Sequence, residues 1–177
     1  GVDHLFFNQE DAVSFKQLDS VASQLGRERA LSEGYGGSGQ ELSFEGRKWI
    51  GDWECALGIN LFNHHISLYS MRGARKRDYP PNIFYQQPWW PHNRLVDDYY
   101  SRLSYALSQG LRQVDILVLH PIGSAWAVYR RDNTREVEAL NDQWVALSMG
   151  LLRQHYDFHY GDESIMERQA RAEGKTL

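Results

Sequence analysis

Apolar positions along this chain alternate between two periods. Short runs of period two are followed by longer stretches of period three to four, the pattern of successive strand–helix units. Val2-Asp3-His4-Leu5-Phe6-Phe7 opens as a strand. Ser14 can cap a helix to about Leu25, with Phe15, Leu18, Val21, Ala22 and Leu25 on one face and Gly26 as its stop. A strand over 29–32 leads into Glu33-Gly34-Tyr35-Gly36-Gly37-Ser38-Gly39. Ser43 is the next cap candidate, for a helix over 45–57 in which Trp49, Trp53 and Leu57 fall four apart. After Gly58, a strand over 59–62 ends in Asn63-His64-His65. Strands and helices in this alternation predict parallel strands joined by crossover helices.

The pattern breaks over 69–92. Four of the five prolines fall here, among dense aromatics, so the segment reads as a long, ordered, functional loop. A helix resumes over 93–109, with an apolar stripe of Leu95, Val96, Tyr99, Leu103, Ala106 and Leu107. Val114 to Pro121 reads as a buried strand and is followed by a loop through Ala125 and Trp126. A helix carrying Val137, Leu140, Trp144, Leu147 and Leu151 comes next, then a strand over 156–160 that ends in Gly161-Asp162-Glu163. A boundary near residues 90–112 divides the chain into a first region, 1–92, and a second α/β unit, 93–177. The opening inside a strand and a helix-like stretch over 168–177 suggest a piece of a longer protein. The compartment stays open among periplasm, exterior and cytoplasm.

Charge and composition narrow the function classes. The formal net charge of −4 argues against a general nucleic-acid binder, and the basic run Arg72 to Arg77 is short enough to be a loop face. A single cysteine, Cys55, excludes an internal disulfide and a cysteine zinc site, and its apolar neighbours suggest an inert core thiol. Apolar runs stay well below the roughly 18 residues of a membrane span. No P-loop, dinucleotide-binding glycine motif or nucleophile elbow occurs, so no cofactor is expected.

The candidate chemistry lies at the strand ends, where α/β folds place their sites. Glu33 closes an apolar strand and can serve as a carboxyl acid in glycosidic bond cleavage. Its plainer reading is a loop carboxylate that caps backbone amides. Of His64 and His65, strand alternation sends one inward, to bind a sugar hydroxyl or hold a carboxylate. A third ligand at metal spacing is lacking, so no metal is expected. Tyr35 and Asn63 supply polar groups at the same rim. Trp89 and Trp90 can stack on a sugar ring, or can plug the loop onto the sheet.

The segments Leu31-Ser32-Glu33-Gly34-Tyr35-Gly36, Trp49-Ile50-Gly51-Asp52-Trp53, Gly58 to His65, Arg75 to Pro81, Gln87 to His92 and Leu103 to Gly110 resemble, in this order, large bacterial glycoside hydrolases of the α-L-rhamnosidase-like group. The strand Val114 to Pro121, with Ser124-Ala125-Trp126, continues the likeness. The resemblance implies an α/β chain: the late part of a (β/α)8 catalytic barrel, then the start of an open three-layer α/β unit like the middle domain of some β-galactosidases. It implies cleavage of a terminal glycosyl residue such as α-L-rhamnose, with Glu33 catalytic and Tyr35, Asn63, His64, His65, Trp89 and Trp90 contacting a carbohydrate partner. The isolated segment would then be inactive. Separately, the pattern of the second unit suggests an amidotransferase-like regulatory or assembly domain that supports homo-oligomer contacts. The alternative is a non-catalytic carbohydrate-binding or assembly module.

Overall fold

The computed structural model describes residues 1–5 and 12–174. It is a mixed α/β chain with short parallel strands. Strands β1 (Val2–Leu5), β2 (Leu31–Gly36) and β3 (Leu61–His64) form a parallel sheet in sequential order. Helix α1 (Ala12–Gln24) connects the first two strands and α2 (Phe44–Ala56) the next two. After an irregular segment with single 3-10 turns at Gly73–Arg77 and Trp90–His92 comes α3 (Arg94–Leu107). Then follow β4 (Leu117–His120), α4 (Ile122–Val128), α5 (Arg135–Arg153), β5 (His159–Asp162) and α6 (Glu163–Gln169), with β4 and β5 paired in parallel.

Local chemistry explains several boundaries. Ser43 caps α2, its Oγ accepting from the Gly46 amide at 3.1 Å, and Glu45 complements the dipole in the first turn. Asp162 caps α6 by accepting from the Ser164 and Ile165 amides. The α2–β3 turn needs Gly58: its φ is +105°, and a Cβ there would lie 2.2 Å from Asp19 Oδ1.

Other expectations are corrected. The described part of the first strand ends at Leu5, and Phe6 and Phe7 lie outside the described residues. Helix α1 already includes Ser14, so that residue is not its cap. Strand β2 runs three residues past Glu33, because the ladder to β3 continues through Gly34 and the His65 amide donates to Gly34 O at 2.8 Å. The segment through Ala125 and Trp126 is helix α4 rather than loop, and the final helix stops at Gln169. Strand β4 is shorter than expected and is buried on one side only, with Val118 in the core and Leu117 and Leu119 exposed.

The largest correction concerns which helix faces are buried. Phe15 and Ala22 of α1 are core residues, packed with Ala30, Leu57 and Ile59, but Val21 and Leu25 are exposed. In their place α1 buries Lys16, Asp19 and Ser20. The cause is β5, which packs against that polar side. The Tyr160 amide donates to Ser20 Oγ at 2.8 Å, and Gln24 Nε2 donates to Tyr160 O at 2.7 Å. Lys16 Nζ lies 2.7 Å from Asp19 and 2.9 Å from Asp157, and Arg112 Nη2 lies 2.6 Å from Asp157. Burial alone would raise both carboxyls, but His159, Lys16 and Arg112 outweigh it at Asp19, and Lys16 and Arg112 do so at Asp157, so both stay below the ordinary carboxylate range. The expected division after residue 92 separates the two sheets along the chain, while α1 serves both. In α3, Val96 and Tyr100 are the buried positions and Leu95 and Leu107 are exposed.

Candidate functional site

The two faces of the β1–β3 sheet are unlike. Val2, Ser32, Gly34 and Phe62 belong to the face packed on the helices, together with His4 and His64. Asp3, Glu33 and Asn63 align across the three strands on the other face. That face stays open: Asp3, Leu61 and Asn63 are exposed, and Leu31 and Glu33 half-exposed. Strand alternation puts Asp3 beside Glu33, a placement that Val2-Asp3-His4 could signal only once the register was known.

Glu33 meets one of the two adjacent histidines. His65 Nε2 lies 3.9 Å from Glu33 Oε1, beyond hydrogen-bond length. Its Nδ1 is buried without a hydrogen-bond partner. Tyr79 meets the His65 ring edge to face at 6.0 Å between centroids. His65 therefore contacts both the Glu33 carboxylate and the Tyr79 ring.

His64 points the other way. Its ring packs against Tyr35, 4.9 Å between centroids, and its Nε2 is buried without a hydrogen-bond partner. Burial, helped by the Arg47 charge, pushes its pKa down to about 4, so the ring is neutral at pH 7. Tyr35 is buried as well, at 1% exposure. Its φ of +76° is in the left-handed region and bends β2, turning the ring beneath the sheet, where the hydroxyl donates to Arg47 O at 3.1 Å. Tyr35 and His64 were expected to touch ligand hydroxyls. Instead they build the floor under the strand ends.

Arg47 is the centre of that floor. It is 1% exposed, its guanidinium donates twice to Asn93 Oδ1 at 3.0 and 2.9 Å, and burial lowers its pKa. The guanidinium lies 4.7 Å from the centroid of Trp89 and 4.9 Å from that of Phe44. Trp89 packs further onto the Tyr35–Ile50–Ile83 cluster, so it wedges the long segment onto the helices. Trp90, next in sequence, is 38% exposed on its 3-10 turn. Nothing local marked Arg47 as buried, because its partner Asn93 is 46 residues away.

A second glutamate–histidine pair lies behind the sheet. His4 Nδ1 is 2.6 Å from Glu54 Oε1, with both side chains 1% exposed. His4 also stacks on Trp53 and meets the edge of Phe15. Cys55 beside it is half-buried, and burial together with Asp52 and Glu54 pushes its thiol up to about 12, which suppresses the thiolate. A cleft of about 540 Å³ opens at the opposite end of the sheet, around Ala30, Ile59, Asp19 and Arg112.

Among the described residues no group of three or more His, Cys, Asp or Glu side chains gathers as metal ligands would, and no helix is long and apolar enough to cross a membrane. Fold and site together define a mixed α/β chain with an open row of polar and titratable side chains on a parallel sheet. Comparison with protein families, with characterised proteins and with solved structures found no match.

Proposed function

We propose that the chain is a segment of a glycoside hydrolase that removes a terminal glycosyl residue, such as α-L-rhamnose, with Glu33 as a catalytic carboxyl group. The observation that carries this reading is the open face of the first sheet. Parallel sheets are normally covered on both sides, by helices outside and by side chains or a ligand site inside. Here α1 and α2 lie on one face, and Asp3, Glu33 and Asn63 share the other. Sequential strand order with crossovers on one side is the arrangement of a (β/α)8 barrel, in which that face lines the interior. Glu33 can deliver a proton to a leaving glycosidic oxygen or act as the second carboxylate of the pair. Asp3, in register beside it, places another carboxylate on the same face. Asn63 offers an amide for ligand hydroxyls, and His65 lies next to Glu33 at 3.9 Å.

Sugar binding and hydrolysis measured together on the full-length protein test this. Glu33→Gln should cut turnover of an aryl glycoside by at least about 100-fold while leaving sugar affinity nearly unchanged. Near-normal turnover by that variant removes Glu33 from the mechanism. Binding with no hydrolysis in the unsubstituted protein would make this a carbohydrate-binding module instead.

A further inference from the structure

The basic run Arg72 to Arg77 stands outside both sheets, on the 3-10 turn at Gly73–Arg77. Every residue over 72–79 is exposed. Among the described residues, Arg72, Arg75, Lys76 and Arg77 have no carboxylate at ion-pair distance, and their side chains make no hydrogen bond. Exposure alone does not explain this. Lys48 and Arg94 are exposed as well, yet each pairs with an acid one helical turn on, Asp52 and Asp98.

Uncharged groups brace the turn through its backbone. Lys76 O accepts from Gln40 Nε2 at 2.9 Å and from Asn82 Nδ2 at 3.0 Å. Gln40 comes from the glycine loop after β2, and Asn82 is wholly buried. The Asn82 amide also donates to Gln40 Oε1 at 3.3 Å, which joins the two braces. At the ends of the turn the Arg72 amide donates to Ser70 Oγ and the Asp78 amide to Arg75 O, both at 3.1 Å. Like charges this close repel one another, so they add nothing to the fold. The chain nevertheless fixes their backbone and leaves the cations in water, as a preorganised contact requires.

The geometry sets the chemistry of the partner. A 3-10 helix has three residues per turn, so Arg75, Lys76 and Arg77 project about 120° apart, and the run spans about 10 Å. It is a knob of positive charge rather than a groove. Its charge is bounded by Asp78, which follows directly, and by Glu41 beside Gln40, on a chain of net charge −4. A nucleic-acid strand needs a cationic track with stacking rings and would run off the knob onto like charge. Three residues of an extended peptide cover the same distance of about 10 Å. Arginine's planar fork matches their carboxylates.

We propose that the Arg72–Arg77 turn docks a short acidic segment of a partner protein, whose carboxylates close around the four cations. This inference is independent of the glycosidase reading of Glu33.

Fluorescence anisotropy of labelled hexaglutamate with the full chain tests it. Binding is expected, and it should weaken at least about threefold between about 50 and 200 mM NaCl. Replacing Arg72, Arg75, Lys76 and Arg77 together by glutamine should weaken it about tenfold or more, since exposed pairs are modest singly and add up over four. Arg130→Gln with Arg131→Gln removes exposed cations of the second unit and should leave affinity within about twofold. Thermal unfolding checks the fold of both variants and should not change, because the braces of the turn run to its backbone. Affinity kept without the four charges, affinity lost equally with Arg130 and Arg131, or no binding of hexaglutamate by the unsubstituted chain would overturn the proposal. Tighter binding of hexathymidylate, a flexible anion of similar length, would also overturn it and make the turn a nucleic-acid contact.

Discussion

The two faces of the first sheet each carry a glutamate–histidine pair, and the pairs are built in opposite ways. Behind the sheet, His4 and Glu54 are 2.6 Å apart, almost wholly buried and enclosed by Trp53 and Phe15. On the open face, His65 and Glu33 are 3.9 Å apart, with Glu33 37% exposed. The buried pair has used its interaction on the fold. The open pair keeps a carboxylate unsaturated and reachable, which is the condition for acting on a ligand. Chemically similar pairs are thus divided by environment alone, because solvent weakens the outer pair while burial makes the inner one costly to break.

Substitution at the two glutamates tests this contrast most strongly. Glu54→Ala removes one partner of a buried pair and should lower unfolding stability by about 3–5 kcal/mol in chemical denaturation. Glu33→Ala, on the open face, should change it by less than about 0.5 kcal/mol. Equal losses would erase the distinction between a buried pair that holds the fold and an open pair that does not.

Acid sensitivity sharpens it next. His64 on the buried side has a folded pKa of about 4 against 6.5 in the unfolded chain. Between those values the unfolded state binds a proton that the folded state refuses. The contribution is therefore full above pH 6.5 and is lost as pH falls toward 4, a total of about 3 kcal/mol. Denaturation curves from pH 7 to 4 should show it, and His64→Phe should flatten the slope across that window. A slope unaltered by His64→Phe would mean the ring is wetter than its packing against Tyr35 implies.

The smallest expected effect is at Gly34. A Cβ there would lie 3.2 Å from Glu54 Oε1, and Glu54, held by His4, has little room to yield. Gly34→Ala should cost about 1 kcal/mol by thermal or chemical melting. A neutral result would show that the inner pair shifts more easily than its burial suggests.

Most elements and their order were legible because period-two and period-three patterns are local, while the short helix α4 was not. The Ser43 cap and the Gly58 turn were legible for the same reason, since each depends on neighbours within a few residues. The candidate site was legible in part. Glu33, Asn63 and His65 do share a neighbourhood, but His64 and Tyr35 turn beneath the sheet. A one-residue step along a strand reverses a side chain's face, and here the bend at Tyr35 adds a further turn. Asp3 carries no local mark of a site, because it does not lie near Glu33 in sequence.

By itself, then, the amino-acid order determined a parallel α/β chain, several of its turns, and a carboxylate and an imidazole on neighbouring strands with a second imidazole just past one of them, all through interactions of short range. Only the tertiary structure decided which faces are dry. Lys16 lies off the apolar face predicted for α1, yet it is buried between Asp19, one turn on, and Asp157, 141 positions away. Arg47 beneath the site and Glu54 behind it follow the same rule. Burying a charge is tolerated only where distant chain supplies the compensating group, and no local pattern encodes that meeting.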